Sequence, residues 1–489
     1  MSDRRPVRRY DGPGDPSGGR VLTSRGGDRC ARMGGGRMGV AILLVLPAMT
    51  PPSLSWAREP DFEAFRWNED YRYLRENPQL SPYERLKYQP LNVRGQNGHL
   101  SFGGSARSRV NRYDNDRFGL QGGSAGAVWL QRFYAHTDLH VGERFRAFVE
   151  VSAHLADGSD ELRPGPFDRN DGTLSQAFVD WRLGGSRLRL GRQEMAMGSA
   201  RLLSSRDGPN VRLSYDGLRW DGTYGSAGLL GFYLREVEVR TGAFDNSSSH
   251  DNAVWGVQST WPLGRGSADV YYLGIKRRDA VYAQGVDDEV RHSVGTRLFG
   301  ADDGWDWNIE AIYQAGTFGD ADIRAWTMAS IVGYRFTSIG WQPRLALSAN
   351  VASGDDDPDD RRLGTFNPIN PNLTYFEEAA ILAPQNFFNI EPEIHWIVTP
   401  RLGMALDWNI FWRLESNDAV YVRGLTPLSA TAGTKGHFVA HVPSLSVDYQ
   451  WNRHLRLDLS YSHFFARNVI KDAGGDDVRF LKLQLEWTF

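Results

Sequence analysis

The feature that most constrains this chain is a two-residue alternation of apolar and polar side chains. It runs for about a dozen residues at a time, broken by turns, from residue 99 to the end. The last segment shows it best. Leu481, Leu483, Leu485, Trp487 and Phe489 share one face of an extended strand, and Lys482, Gln484, Glu486 and Thr488 share the other. One such segment also suits a soluble sheet with a single wet face, but the recurrence along the whole chain does not. A 41% hydrophobic content and a mean hydropathy of −0.46 exclude a helical membrane protein, which needs repeated apolar runs of about 20 residues. They leave room for a membrane barrel, whose strands hide their apolar face in alternation.

The pattern predicts about 18 strands, at 99–112, 126–141, 145–156, 174–184, 186–198, 213–224, 226–240, 252–263, 266–282, 290–301, 304–317, 322–337, 342–354, 388–399, 402–415, 437–451, 455–467 and 478–489. Tight turns such as Gly184-Gly185-Ser186, Gly225-Ser226, Gly264-Arg265 and Asp302-Asp303-Gly304 alternate with longer connections at 157–173, 199–212, 355–387 and 416–436. Short turns on one side and long loops on the other are the habit of outer-membrane barrels. Trp261, Trp305, Trp307, Trp341, Trp396, Trp412, Trp451 and Trp487 lie near strand ends, where aromatic rings meet lipid headgroups. The chain ends on Phe489 with Trp487 two before it, an ending typical of such barrels. The expected fold is all-β: a transmembrane antiparallel outer-membrane β-barrel with both termini periplasmic.

Residues 1–57 read as a leader. Met38-Gly39-Val40-Ala41-Ile42-Leu43-Leu44-Val45-Leu46 is too short to span a bilayer but suits a signal-peptide core, with Arg32 and Arg37 as its positive flank. Ser55-Trp56-Ala57 predicts cleavage before Arg58, and the long stretch ahead of the core points to Met33 or Met38 as the true start. The only Cys, Cys30, precedes the apolar core, so neither a lipoprotein anchor nor an intrachain disulfide is expected, and no thiolate metal cluster or other cofactor. Residues 58–98 differ from the alternating remainder of the chain. Glu69–Leu74 and Tyr83–Tyr88 suggest short helical turns broken by Pro78 and Pro82, a periplasmic lead-in or partial plug ahead of a barrel at 99–489.

Alternation also assigns faces. Inward positions include Arg132, Tyr134, His136, Asp138 and His140; Arg146, Phe148, Glu150 and His154; Gln176, Asp180 and Arg182; Arg187, Arg189 and Gln193. Arg192 and Glu194 fall on the lipid parity. A charge at mid-bilayer costs about 2–4 kcal/mol, so either a bulge near Gly191 turns them inward or they sit above the lipid. Later strands add Arg219, Asp221, Arg235, Lys276, Arg278, Arg291, Arg297, Arg335, Arg344, Asp407, Arg413, Asp448, Arg456, Asp458, Lys482 and Glu486. Bases exceed acids on this face, while the acids gather in Asp355-Asp356-Asp357 with Asp359-Asp360, in Asp287-Asp288-Glu289 and in Asp476-Asp477. Asp355, Asp356 and Asp357 are a weak candidate for a divalent cation; a solvated external charge run is the simpler reading. The loop 355–387 is long enough to gate a pore. A net charge of −3 gives no sign of nucleic-acid binding, and the 11 scattered His, without a phosphate loop or a His-Glu-x-x-His helix, give no catalytic constellation.

A run from Leu190-Gly191-Arg192-Gln193-Glu194 through Gly198-Ser199-Ala200-Arg201-Leu202 to Arg206-Asp207-Gly208-Pro209-Asn210-Val211-Arg212 and Tyr215-Asp216-Gly217 resembles the central motif of the alginate-export family of outer-membrane barrels. Leu363-Gly364-Thr365-Phe366-Asn367-Pro368, Tyr375-Phe376-Glu377-Glu378-Ala379 and Tyr461-Ser462-His463-Phe464-Phe465-Ala466 agree with it. The resemblance implies an 18-stranded monomeric barrel with an Arg-rich lumen that passes anionic polysaccharide outward, with Arg192, Arg201, Arg206 and Arg212 as the pore arginines of the matching motif. The expected partners are the polysaccharide, outer-membrane lipid and lipopolysaccharide, and periplasmic polysaccharide-biosynthesis proteins. Three alternatives stay open: a porin importing small anionic solutes or sugars, a non-conducting structural or adhesive barrel, and a wall of Arg–carboxylate pairs that serves rigidity alone.

Overall fold

In a computed structural model, residues 62–77, 79–159, 162–373 and 377–489 are described; the leader and Cys30 lie outside them. Eighteen antiparallel strands pair each with the next and close on themselves. They are β1 (Gln96–Tyr113), β2 (Gly126–Val141), β3 (Phe145–Gly158), β4 (Asn170–Leu183), β5 (Ser186–Gln193), β6 (Tyr215–Tyr224), β7 (Ala227–Glu238), β8 (Ser247–Leu263), β9 (Gly266–Tyr282), β10 (Gly285–Asp302), β11 (Trp305–Phe318), β12 (Ala321–Arg335), β13 (Arg344–Ala352), β14 (Phe387–Thr399), β15 (Leu402–Trp412), β16 (Phe438–Asn452), β17 (Leu455–Ala466) and β18 (Val478–Thr488). The seam pairs β1 with β18, from Ser105 opposite Thr488 to Tyr113 opposite Phe480. Closure leaves no unpaired edge, the condition for a sheet to cross lipid.

The alternation read in the sequence is the alternation of burial. Leu481, Leu483, Leu485 and Trp487 are exposed on the outer face, and Phe480, Lys482 and Gln484 are buried within. At one end the turns are short, as at Gly225 and Gly264, whose φ of 59° and 57° suit the two-residue hairpin turns they begin. Trp261, Trp305, Trp341, Trp451 and Trp487 are exposed near this periplasmic end. The longest connections leave from the opposite, external end.

Three external loops fold back into the barrel. Residues 194–214, 353–386 and 413–437 contribute Met195, Leu202, Leu203, Phe366, Ile369, Ile381, Leu382, Tyr421 and Val422 to one apolar core with Leu234, Leu273, Ile275 and Ile323 of the wall. Backbone bonds tie the loops together: Ser204 N to Asn370 O at 2.9 Å, Ala383 N to Tyr421 O at 2.9 Å, and Arg423 N to Ile381 O at 2.8 Å. Burying an aliphatic or aromatic side chain contributes about 1.5–3 kcal/mol, so the inserted loops are a packed part of the fold.

The lead-in enters from the other end. Pro82 starts helix α1 (Pro82–Lys87) instead of breaking one; Ser81 and Glu84 form a reciprocal cap. A strand at Gln89–Val93 then pairs with the start of β1. Ahead of it, Trp67 is buried against Phe178 and Phe148 on the inner wall. Arg66 spans the seam, donating to Gly104 O at 3.1 Å and to Phe489 O at 2.8 Å, while Gly104 and Phe489 exchange both backbone hydrogen bonds at 3.0 Å. Lys87 is almost fully buried under Phe62, Tyr71, Tyr83 and Phe489 and donates to Phe102 O at 2.9 Å.

Several expected boundaries move. β5 stops at Gln193 instead of running to 198. β10 begins at Gly285, so Asp287, Asp288 and Glu289 lie in a strand and not in a loop, and Glu289 is buried inside with Arg291 (2.5 Å) and Tyr282 (2.8 Å).

Candidate functional site

The densest cluster of charge inside the barrel forms where the loop 194–214 meets β1 and β2. Arg206 takes a left-handed conformation (φ 55°) and Gly208-Pro209 come next, which turns Asp207 toward the wall. Arg132 donates to one Asp207 oxygen at 2.8 Å and Arg212 to the same oxygen at 2.6 Å; Arg107 lies 3.7 Å from the other. Arg109 donates to Gly208 O at 2.7 Å. Asn210 holds the loop in place through three backbone carbonyls, of Gln131, Leu155 and Asp168. Depth inside the barrel, away from bulk solvent, would raise the Asp207 carboxyl, but Arg132, Arg212, Arg107 and Arg109 together hold it well below the usual carboxylate range. The side chains of Arg107 and Arg132 are 1% and 2% exposed, yet that of Asp207 is 48% exposed, so it faces open space. Arg212 also reaches Glu194 at 3.3 Å; burial lifts the Glu194 carboxyl to about 7 against the pull of Arg212, with Glu150 adding to the lift.

Toward the periplasm the wall continues as paired bases. Arg146 grips Asp138 at 2.7 and 2.6 Å, and Arg189 grips Asp180 at 2.7 and 2.8 Å. Arg187 and Arg219 share Asp221 at 3.0 and 2.6 Å. Trp67 of the lead-in lies over this group, 3.9 Å from the Arg189 guanidinium and about 5.5 Å from those of Arg187 and Arg219.

Across the lumen, β13–β15 present a different surface. Arg344 grips Asp306 at 2.8 and 2.6 Å. The His395 Nε2 lies 3.2 Å from Glu393 and 3.6 Å from Asp407, and Arg344 is 3.7 Å from Glu393. Glu393, His395 and Asp407 are close enough to share a metal ion, but Arg344 and Ser348 already occupy Glu393. The acidic run is not such a site. Asp355 is buried, bonded to Gln284 and Gly364 N, and pushed up to about 7 by burial, whereas Asp356 is exposed and paired with Arg362. Asp355 and Asp356 are thus held by different partners.

Other expected positions fall at several places. Arg201 pairs with Glu310 at 3.3 Å, and Lys482 with Glu378. Arg206 lines a cavity of about 260 Å³ with Arg277, Glu236 and Tyr282. Arg182, Arg335 and Arg456 keep the inward parity at the periplasmic rim, Arg335 bonded to Gln342 O and Arg456 to Asp458. Arg413 is no lumen base: it donates to the carbonyls of Thr431 and Gly436 and staples its own loop. Arg235, Lys276 and Arg278 face outward, and Arg277 takes the inward place. Arg192 also faces outward, bonded to Asp216 at 2.8 Å through two nitrogens. The expected bulge near Gly191 is absent; the irregularity lies in β4, where Ser175 and Gln176 are both buried. β5 therefore stays regular to Gln193, and only Glu194, beyond its end, turns in.

Arg107, Arg109 and Asn210 are site residues that the sequence pattern does not single out. The two arginines were open to it, since they alternate with Ala106, Ser108 and Val110; Asn210 acts through a loop insertion that no local pattern signals. Gly122-Gly123-Ser124-Ala125-Gly126 has the letters of a nucleophile elbow, but it joins two strands and not a strand to a helix.

Fold comparison finds the same barrel in solved structures. Pseudomonas aeruginosa OccK5 (OpdH) superposes with a TM-score of 0.52 at 13% identity, covering 80% of this chain and 98% of that one. P. aeruginosa OccK2 (OpdF) in complex with glucuronate gives 0.54 at 12%, covering 80% and 98%. Acinetobacter baumannii OccAB2 gives 0.57 at 11%, with the same coverage. No curated protein sequence matches the chain. The family model for alginate export matches residues 99–483, a span that holds all 18 wall strands but the edges of the first and last. With that match and the closed 18-strand wall, the chain belongs to the alginate-export family of outer-membrane β-barrels.

Proposed function

We propose that this outer-membrane channel passes an anionic polysaccharide of the uronate class, outward and passively, by handing its carboxylates between lumen arginines. The observation that carries the reading is Asp207. A loop carboxylate sits among Arg107, Arg132 and Arg212 and still faces open space, as a sugar carboxylate in transit would. Arg binds carboxylate through a planar fork, and conduction needs attraction that is multi-site and weak. The bases Arg146, Arg189, Arg187 and Arg219 continue the line of positive charge toward the periplasm, each held by a carboxylate of the wall and the last three covered by Trp67. Arg201, Arg344 and Lys482 are paired likewise.

A second reading, uptake of small uronates, draws on the fold neighbour solved with glucuronate and on the cavity of about 260 Å³ beside Arg206 and Arg277. Single-channel recording with and without uronate oligomers tests both. The expected result is anion preference at low salt that fades toward 1 M, where the screening length is about 3 Å, with block that deepens with oligomer length. Cation preference at low salt contradicts the transport reading. Block by monomers as strong as by oligomers favours uptake.

A further inference from the structure

The outward bases form a pattern of their own. Strand pairing places Arg192 (β5), Asp216 (β6), Arg235 (β7), Ala253 (β8) and Lys276 (β9) in one row across the outer face, near the external ends of these strands. Arg192 is neutralised by Asp216. Arg235 and Lys276 are exposed and, among the described residues, neither makes an ion pair or a side-chain hydrogen bond. They stand two strands apart, about 10 Å, with only the methyl group of Ala253 between them, so both long side chains can converge over it. One residue pair nearer the bilayer centre, about 7 Å down the strands, the next outward row is Leu190, Leu218, Tyr233, Trp255, Gly274 and His292. Trp255 lies across Gly274, where a Cβ would meet the indole at 2.3 Å, and its Nε1 reaches Tyr272 Oη at 3.3 Å; Tyr272 in turn meets His292 at 2.7 Å. Such an aromatic belt marks the headgroup level of a membrane. Below it Val257, Val270 and Val294 are exposed to the hydrocarbon. Arg278, one step further out, is paired with Asp251.

Two cations without a protein partner immediately above an aromatic belt, on the face that meets the outer leaflet, offer a site for an anion at headgroup height. We infer that Arg235 and Lys276 clasp a phosphate of an outer-leaflet lipid over Ala253. The carboxylates of Asp216 and Asp251 are already taken by Arg192 and Arg278, which leaves the pair a net positive charge to offer.

The test uses the full chain in phosphatidylcholine nanodiscs, with bisphosphorylated lipid A as probe and its dephosphorylated form as control. Each cation contributes about fivefold to binding at a membrane surface, so Arg235→Gln with Lys276→Gln should weaken retention of lipid A by about 30-fold, as read by native mass spectrometry. The variant barrel should remain heat-modifiable, with the parent's conductance and anion preference, because neither side chain faces the lumen. Arg235→Lys should keep most of the retention. Equal retention of lipid A by parent and double variant overturns the inference, as does equal retention of the dephosphorylated lipid by the parent. A double variant that loses conductance or anion preference also overturns it, by returning these residues to the lumen.

Discussion

On the wall built by β1–β6, inward positions are held by Arg107, Arg109, Arg132, Arg146, Arg189 and Arg219; on the wall built by β13–β15 they are held by Ser348, Asn350, Asn389, Glu391, Glu393, Asp407 and Asn409. Both walls are compensated from within over most of their height, the first by Asp138, Asp180 and Asp221, and they part at the external end. The second is compensated from within: Asn350 donates to Asn389, Asn389 to Asn409, and His395 and Arg344 sit against the carboxylates. At the external end of the first, the compensating carboxylate arrives on a loop, as Asp207. A wall neutralised by its own strands has nothing to exchange. A wall neutralised by a loop carboxylate can exchange it for another and keep its strands intact.

The largest expected effect comes from charge reversal on the first wall. Arg132→Glu places a buried anion beside Asp207 and should remove about 3–5 kcal/mol, seen as loss of the heat-modifiable band; an unchanged melting profile would mean that the two walls do not differ in the way described. Next comes Trp67→Ala. Removing a buried Trp costs about 3–5 kcal/mol at a fully packed site, here confined to the docking of the lead-in, so the barrel should persist while conductance rises and Arg187, Arg189 and Arg219 become available to uronate block. Asp207→Asn should then tighten block by uronate oligomers about tenfold, which is about 1.4 kcal/mol, with higher anion preference. Weaker block would show Asp207 to be a support and not a stand-in.

Glu194 supplies the pH dependence. Its carboxyl titrates near 7 in the folded chain against an ordinary 4.5, so between those values the folded barrel holds a proton that the unfolded chain releases. Stability from this group therefore falls as pH rises through that window. As pH falls through about 7, Arg212 loses its second carboxylate and anion preference should increase; Glu194→Gln should flatten that rise. The smallest effect belongs to the second wall. Glu393→Gln should alter uronate block by less than about twofold, as expected for a group whose compensation is local. A larger change would erase the contrast between the walls.

The strands and their faces were legible because a pleated chain has a period of two and a barrel repeats it strand after strand. What failed did so in the external half of the wall, where the inserted loops pack against the strands. In Lys276-Arg277-Arg278 three bases come one after another, and the apolar Tyr271, Leu273 and Ile275 read as the lipid face, which sends Lys276 and Arg278 inward; in the structure those three pack inside against the inserted loops, so the same parity puts Arg277 inward. Arg192 would need a bulge on its own strand to turn inward, and the structure puts the bulge at Ser175 and Gln176, on the neighbouring strand. The Asp207 cluster joins a loop to strands about 75 and 100 residues away in sequence, and no local pattern encodes a meeting of that kind. Arg413 reads as one more inward base because nothing local shows that its strand ends one residue earlier.

The clasp of Arg66 on Gly104 and Phe489 has a consequence in time. Its two acceptors belong to the first and last strands, so the clasp exists only once the ends of the wall have met, and it has no purchase on a partly assembled sheet. Any opening of the seam must also pull Arg66 away and loosen Lys87 from the Phe489 ring. The segment that precedes the wall thus acts on it last, as a bolt drawn across a shut door: it adds little to the speed of assembly and much to the wait before disassembly, since interactions absent from the transition state slow unfolding alone.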